Sequence, residues 1–211
     1  MNKMLQPIFD GIIAGKKQVV TDSIEAALNA NIPVDTIINE AMIAAMSEVG
    51  KRFEAGEYFI PEMLVAARAM QAGMNLLKPY LAQSNIKAAG KVIFGTVNGD
   101  LHDIGKNLVS VMLEGAGFTI IDLGTDVSPE TFVTAIHEHK PDILALSALL
   151  TTTMPNIRLV IDALQQAGLR DSVKVLVGGA PVTESYAYQI GADAYAPDAS
   201  RAVNVAKSLV A

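Results

Sequence analysis

Apolar and polar positions follow two different rhythms along this chain. Over the first 85 or so residues, apolar side chains recur three and four apart. Ile37, Ile38, Ala41, Met42, Ala45, Met46 and Val49 form one such series, and Met63, Leu64, Ala67, Met70, Met74 and Leu77 another. That period buries one face of an α-helix. Pro33 and Pro61 suit the first turn of the helices they introduce, where a missing N–H costs nothing. Gly50 and Gly56 loosen the chain ahead of Pro61. The pattern predicts four helices, at roughly 3–14, 17–30, 33–54 and 61–82, packed as a small bundle.

From Lys91 the rhythm changes to short β-branched runs. They are Lys91–Val97, Phe118–Leu123, Ile143–Ser147, Val173–Val177 and a weaker Ala194–Ala196. Helical stretches separate and follow them, near roughly 104–116, 129–139, 155–167, 183–190 and 199–210. Strands that alternate with helices and are apolar on both faces predict a parallel sheet covered on both sides. The expected fold is therefore α/β: an N-terminal four-helix bundle, residues 1–85, followed by a flavodoxin-like or Rossmann-like five-stranded parallel domain, residues 90–211. Gln83–Gly90 reads as the linker, and neither a repeat nor a low-complexity segment interrupts either half.

Composition narrows the function. With 51% apolar and 18% charged residues among 211, the chain can bury a real core. A formal net charge of −6 argues against extended binding to nucleic acid or an anionic membrane. The absence of cysteine removes disulfides, thiolate metal sites and cysteine nucleophiles together. Neither a signal-like apolar stretch after Met1-Asn2-Lys3-Met4 nor a bilayer-length segment is present, so a soluble cytoplasmic protein is expected.

The candidate chemistry lies where the first strand ends. In an open parallel sheet of this type a ligand sits outside the carboxyl ends of the strands, at the switch between strands one and three. Asp100-Leu101-His102-Asp103-Ile104-Gly105-Lys106-Asn107 follows strand one, Ser147-Ala148-Leu149 closes strand three, and Gly178-Gly179 ends strand four beside them. A histidine on such a loop can present one ring nitrogen to a metal. A carboxylate two residues earlier can hold the other nitrogen and set the tautomer. Taken alone, Asp100 also reads as the cap of the next helix, and Gly178-Gly179 as a turn.

Asp100-x-His102-x-x-Gly105, then Ser147-x-Leu149, then Gly178-Gly179, together closely resemble the three-part fingerprint of the base-off, His-on cobalamin-binding fold. That fold occurs in cobalamin-dependent methionine synthase, the coenzyme-B12 mutases and the methyl-carrying corrinoid proteins. The resemblance implies that His102 is the lower axial ligand of cobalt and that Asp100 hydrogen-bonds its distal nitrogen. It further implies that Asp103, Ile104 and Gly105 line the nucleotide tail at the helix start, and that Ser147, Leu149, Gly178 and Gly179 line the deep slot for it. In methionine synthase a serine completes a His–Asp–Ser relay. Here Thr153 stands at that place, with Thr151 and Thr152 as rivals. The segment Val49–Met63 resembles the cap bundle of methionine synthase and of corrinoid proteins in methyltransferase systems. By position, Phe53, Ile60 and Met63 would touch the upper face of the corrin, although each serves equally as bundle core.

The resemblance implies a methyl carrier of one-carbon metabolism, whose cobalamin cycles between a Co(I) corrinoid and methylcobalamin. Its partners would be a substrate-specific corrinoid methyltransferase, a methyl-accepting methyltransferase and a reductive activase, with no nucleic acid and no membrane. Methanol, methylamine, glycine betaine and aryl methyl ethers are the methyl donors such systems use. A cap over the methyl group must move for transfer, which points to a hinge in the 83–90 linker. The chain would thus be a carrier subunit and not a complete enzyme. The alternatives are a cobalamin-sensing regulatory module, which would need a DNA-binding domain, and a mutase small subunit, which usually lacks the bundle. A third is a flavodoxin-like binder without cobalamin, whose phosphate loop would be rich in Ser and Thr where this chain has Asp100 and Asp103. His137 and His139 near a helix end read as solvated, the spaced methionines as core, and Asp198 as the cap of the last helix.

Overall fold

A computed structural model describes residues 3–81 and 88–211. The chain divides into two compact units, one of residues 1–87 with 115–117 and the other of residues 88–114 with 118–211. The expected linker and hinge fall largely on residues 82–87, outside the described ones.

In the first unit α1 spans Gln6–Ile13 and α2 Lys17–Asn29. The expected start of the first helix near residue 3 is too early. Pro7 has no N–H to give to a residue four back, so it is tolerated only in the first turn, and the helix begins at Gln6. A long rod follows, made of α3 (Val34–Thr36), a π-helical stretch (Ile37–Ile43) and α4 (Ala44–Glu54). The wider π turn was not predicted. A four-residue apolar spacing lies between an α turn and a wider one and does not tell them apart. Pro33 precedes the rod with extended backbone (φ −58°, ψ 141°). The last helix of the unit is α5, Ile60–Leu81, with Pro61 in its first turn. Leu5, Ile8, Ile24, Ile37, Met42 and Leu77 are among the fully buried side chains of this unit. Gly73 on α5 lets helices approach closely, since a Cβ there would lie 2.7 Å from Ile24 Cδ1 and 2.8 Å from Met42 Cε.

The second unit is a five-stranded sheet in the order β2-β1-β3-β4-β5, with every pairing parallel. The strands are β1 (Lys91–Thr96), β2 (Thr119–Asp122), β3 (Ile143–Ser147), β4 (Lys174–Gly178) and β5 (Ala194–Ala196). The helices are α6 (Ile104–Gly115), α7 (Pro129–His139), α8 (Pro155–Gln166), α9 (Glu184–Gln189) and α10 (Ala199–Leu209). Ile93, Leu144 and Val175 join Phe132, Val160 and Leu164 in one hydrophobic core. Their strand neighbours Phe94, Ala145 and Leu176 are buried as well, so both faces of the sheet are covered. As expected, Asp198 caps α10, its carboxylate accepting the Arg201 N–H at 2.8 Å.

This order decides where a ligand can sit. From β1 the chain passes to β2 on one side, and from β3 to β4 on the other, so the crossovers diverge between β1 and β3. Thr96 pairs with Ser147 and Ser147 with Gly178 at the carboxyl ends. The three marked segments therefore emerge side by side.

Candidate functional site

The loop after β1 begins with a tight turn. The Asp100 N–H donates to the Val97 carbonyl at 3.1 Å, and Gly99 occupies the third position with φ +79°, the value that a type II turn requires there. Asp100 lies four residues ahead of α6 and does not cap it. Its fully buried carboxylate points instead at the loop after β3. Oδ2 accepts from the Thr153 hydroxyl at 2.6 Å, the Leu149 N–H at 2.7 Å and the Leu150 N–H at 3.3 Å. Oδ1 accepts from the His102 N–H at 3.1 Å and faces His102 Nδ1 at 2.7 Å. Burial by itself would push the Asp100 pKa up. Hydrogen bonds from Thr153, from the Leu149 N–H and from His102 outweigh it and hold the carboxyl well below the usual carboxylate range.

An ionised carboxylate can only accept, so His102 Nδ1 must carry the proton on that contact. In the neutral ring Nε2 then keeps its lone pair, and no described residue donates to it. The His102 side chain is half exposed. Leu101 and Ile104 flank it at 73% and 76% exposure, and Leu149 and Leu150 across the crevice are exposed as well. An apolar rim around one free imidazole nitrogen is a binding surface for something large and partly apolar.

Of the three threonines in Thr151-Thr152-Thr153, the third is buried and reaches Asp100, while Thr151 and Thr152 are exposed. Leu149 contributes a backbone N–H to Asp100 in addition to its side chain. Ser147 ends β3, half-buried, between Thr96 and Gly178. Gly179 is required by the fold itself: its φ is +123° and a Cβ would lie 1.9 Å from the Ala148 carbonyl oxygen. A Cβ on Gly178 would lie 3.0 Å from the Ala196 carbonyl oxygen. Gly105 is the opposite case. A Cβ there would meet nothing within 4 Å, so the protein's own packing does not ask for glycine. Asp103 is exposed beside it, and its carboxylate accepts from Asn107 Nδ2 at 3.0 Å.

In the helical unit Ile60 is exposed and Phe53 half-buried, whereas Met63 is fully buried and offers no surface. Phe59, next to Ile60, is 65% exposed and was not singled out by the sequence.

Other residues around the loop also escaped sequence reasoning. Lys106 is buried on α6, pairs with Asp122 at the end of β2 and donates to Asn107 Oδ1 at 2.9 Å. Asp126, in the loop after β2, accepts from Asn98 Nδ2 and the Gly99 N–H. Asn156, at the start of α8, donates to the Asn98 carbonyl. No motif marks them, because Lys106 meets Asp122 on β2 and both Asp126 and Asn156 meet the loop after β1, far from each along the chain.

Among the described residues no group of three or more His, Asp or Glu could hold a metal ion, and His137 and His139 sit in the last turn of α7. A lone imidazole suits a metal whose other ligands arrive with a cofactor. Residues 90–204 match the protein family described as the B12 binding domain, and residues 4–78 match a second family of the same description. Dimethylamine corrinoid protein 3 of Methanosarcina acetivorans is 44% identical over 207 residues, 98% of this chain and 97% of that protein. The chain belongs to the B12-binding corrinoid proteins.

Two solved structures agree with this corrinoid protein over nearly its whole length. One is the methanol:cobalamin methyltransferase complex MtaBC from Methanosarcina barkeri, with a TM-score of 0.89 and 30% identity, covering 99% of this chain and 80% of that one. The other is a cobalamin-binding protein from Desulfitobacterium hafniense DCB-2, with a TM-score of 0.82 and 33% identity, covering 98% of each chain. Cobalamin or a related corrinoid is thus the cofactor. The residues present fit it: one oriented imidazole, an exposed apolar rim, and open space at Gly105. No helix among the described residues is long and apolar enough to cross a membrane.

Proposed function

We propose that this corrinoid protein is a methyl carrier that holds its cofactor base-off and His-on, with His102 Nε2 as the lower axial ligand of cobalt. The observation that carries the reading is the 2.7 Å contact between Asp100 and His102 Nδ1, which leaves Nε2 free to ligate. Gly105 and the ends of β3 and β4 at Ser147, Leu149, Gly178 and Gly179 would accommodate the nucleotide tail. The bound corrinoid supplies a cobalt that accepts a methyl group when reduced and releases it to an acceptor.

This chain's own residues manage the imidazole. Five donors keep Asp100 ionised and fixed, and Asp100 in turn fixes the ring. Asp100 accepts from Nδ1–H and so holds the ring with Nε2 available to a ligand. Likeness to a dimethylamine corrinoid protein and to a methanol:cobalamin methyltransferase complex supports a methylamine or methanol as methyl donor. Glycine betaine and aryl methyl ethers remain the other donors of such systems. The partners would be a substrate-specific methyltransferase, a methyl-accepting methyltransferase and a reductive activase, all meeting the carrier in the cytoplasm.

The test is the visible spectrum after incubation with hydroxocobalamin and removal of free cofactor, for the wild type and His102→Ala. Retained base-off cobalamin whose Co(III) bands shift in His102→Ala is the expected result. Wild-type protein that is folded yet retains no cobalamin would sink the reading.

A further inference from the structure

The turn that carries Asp100 is held by one residue from the loop after β2 and one from the first turn of α8, and they grip the same peptide group. In the turn Val97-Asn98-Gly99-Asp100 the central peptide is the Asn98 carbonyl with the Gly99 N–H. Asn156 Nδ2 donates to that carbonyl at 2.6 Å, and Asp126 Oδ1 accepts from that N–H at 2.7 Å. Asp126 Oδ1 also accepts from Asn98 Nδ2 at 2.8 Å, and the Asp126 N–H donates to the Asp100 carbonyl at 3.0 Å. Asp126 thus makes three hydrogen bonds to the three residues 98–100. It does so from left-handed backbone, φ +56°, a conformation that a non-glycine residue other than Asn, Asp or His seldom adopts.

The orientation of that central peptide is what separates a type II turn from a type I turn. Type II needs a positive φ at the third residue, where Gly99 has +79°. With glycine in that place the peptide can rotate at little steric cost. Nothing within the turn itself forbids the flip; the two outside partners do. A flip would point the Gly99 N–H away from Asp126 and the Asn98 carbonyl away from Asn156, and would release the ties that seat Asp126, whose own N–H holds the Asp100 carbonyl. Three of the five donors on the Asp100 carboxylate, the Thr153 hydroxyl and the Leu149 and Leu150 N–H groups, come from the segment between β3 and α8, so they tolerate little rotation of the residue that bears it.

We infer that Asp126 and Asn156 are positioning residues for the axial histidine: they lock the Asn98–Gly99 peptide, and through it the carboxylate of Asp100 and the imidazole of His102. The inference rests on His102 being the ligand. It assigns to the loop after β2 and the start of α8 a role in cofactor ligation that neither has by contact with the imidazole.

The experiment compares Asp126→Asn, Asp126→Gly and Asn156→Asp with the wild-type full chain. Asn keeps the single oxygen that makes both side-chain bonds and tolerates the left-handed backbone. Gly keeps the backbone and removes the oxygen. Asp at 156 keeps the shape and turns a donor into an acceptor. The first readout is the ¹⁵N NMR of the His102 ring in cofactor-free protein, which reports the tautomer directly. The second is the visible spectrum and affinity with hydroxocobalamin. Wild type and Asp126→Asn should show one Nδ1–H tautomer and tight His-on binding. Asp126→Gly and Asn156→Asp should show mixed tautomers and about tenfold weaker binding, the low end for partners outside the ligand itself. Folded Asp126→Gly and Asn156→Asp with the wild-type tautomer and affinity would overturn the inference. Should Asp126→Gly not fold, Asn156→Asp alone decides. If the wild type binds no cobalamin, ligation by His102 fails, whereas the tautomer in the cofactor-free variants still judges the peptide lock.

Discussion

At the scale of single residues, Asp100 concentrates the chemistry. A buried carboxylate with five donors is stable only while ionised, and its lowered pKa is a statement about folding. Because the folded value lies below the unfolded value of about 4, Asp100 stabilises the fold at every pH above about 4. That contribution is lost as the pH falls through the folded value. Urea titrations from about pH 6 downward should therefore show wild-type stability dropping below about pH 4 more steeply than in Asp100→Asn; parallel profiles would contradict this. Thr153 gives the shortest of the five bonds, at 2.6 Å. Thr153→Val keeps the shape and loses the donor, at a cost of about 1.5–3 kcal/mol for a hydrogen bond to a charged group. Thr153→Ser should recover most of that in the same denaturation measurement.

Among turns and helices, two glycines of one sequence fingerprint separate by what surrounds them. Gly179 is indispensable to the fold. Its φ of +123° and a Cβ 1.9 Å from the Ala148 oxygen mean that Gly179→Ala must distort the end of β4. A loss of at least about 3 kcal/mol is expected, visible in thermal unfolding without any cofactor. Gly105 stands at the start of α6 with open space around it. Gly105→Ala should leave cofactor-free stability unchanged or raise it by up to about 1 kcal/mol through helix propensity. Its effect should appear only in retention of cobalamin, as expected of a glycine kept clear for the nucleotide tail. Wild-type retention in Gly105→Ala would remove that residue from the site. From sequence the two read alike, since a glycine records the lack of a side chain and not the reason for it.

For the molecule as a whole, the cofactor is also a stabiliser. A ligand bound only by the native state adds RT ln(1 + [L]/Kd), about 2.7 kcal/mol at a hundredfold excess over Kd. Hydroxocobalamin at that excess should raise the urea midpoint of the wild type, and should raise it less for His102→Ala at the same concentration. Equal shifts in both proteins would mean that the imidazole adds nothing to binding.

Much of this organisation is local in origin and was legible from residue order. A 3.6-residue rhythm giving way to short β-branched runs sets helices first and a parallel sheet second, because each pattern buries its apolar side in only one way. Asp100 and His102 are two residues apart, so their contact is settled within one loop. Strand order places that loop beside Ser147 and Gly178, as the alternation of strands and helices implies. The remainder was decided across distance. Thr151, Thr152 and Thr153 differ in sequence by one step, yet which hydroxyl meets a carboxylate 53 residues away depends on how the loop after β3 turns. Asp126 and Asn156 bear no motif. They matter because β1 and β3 run in parallel register and bring three loops to one edge of the sheet, where hydrogen-bond geometry selects partners that spacing along the chain cannot name.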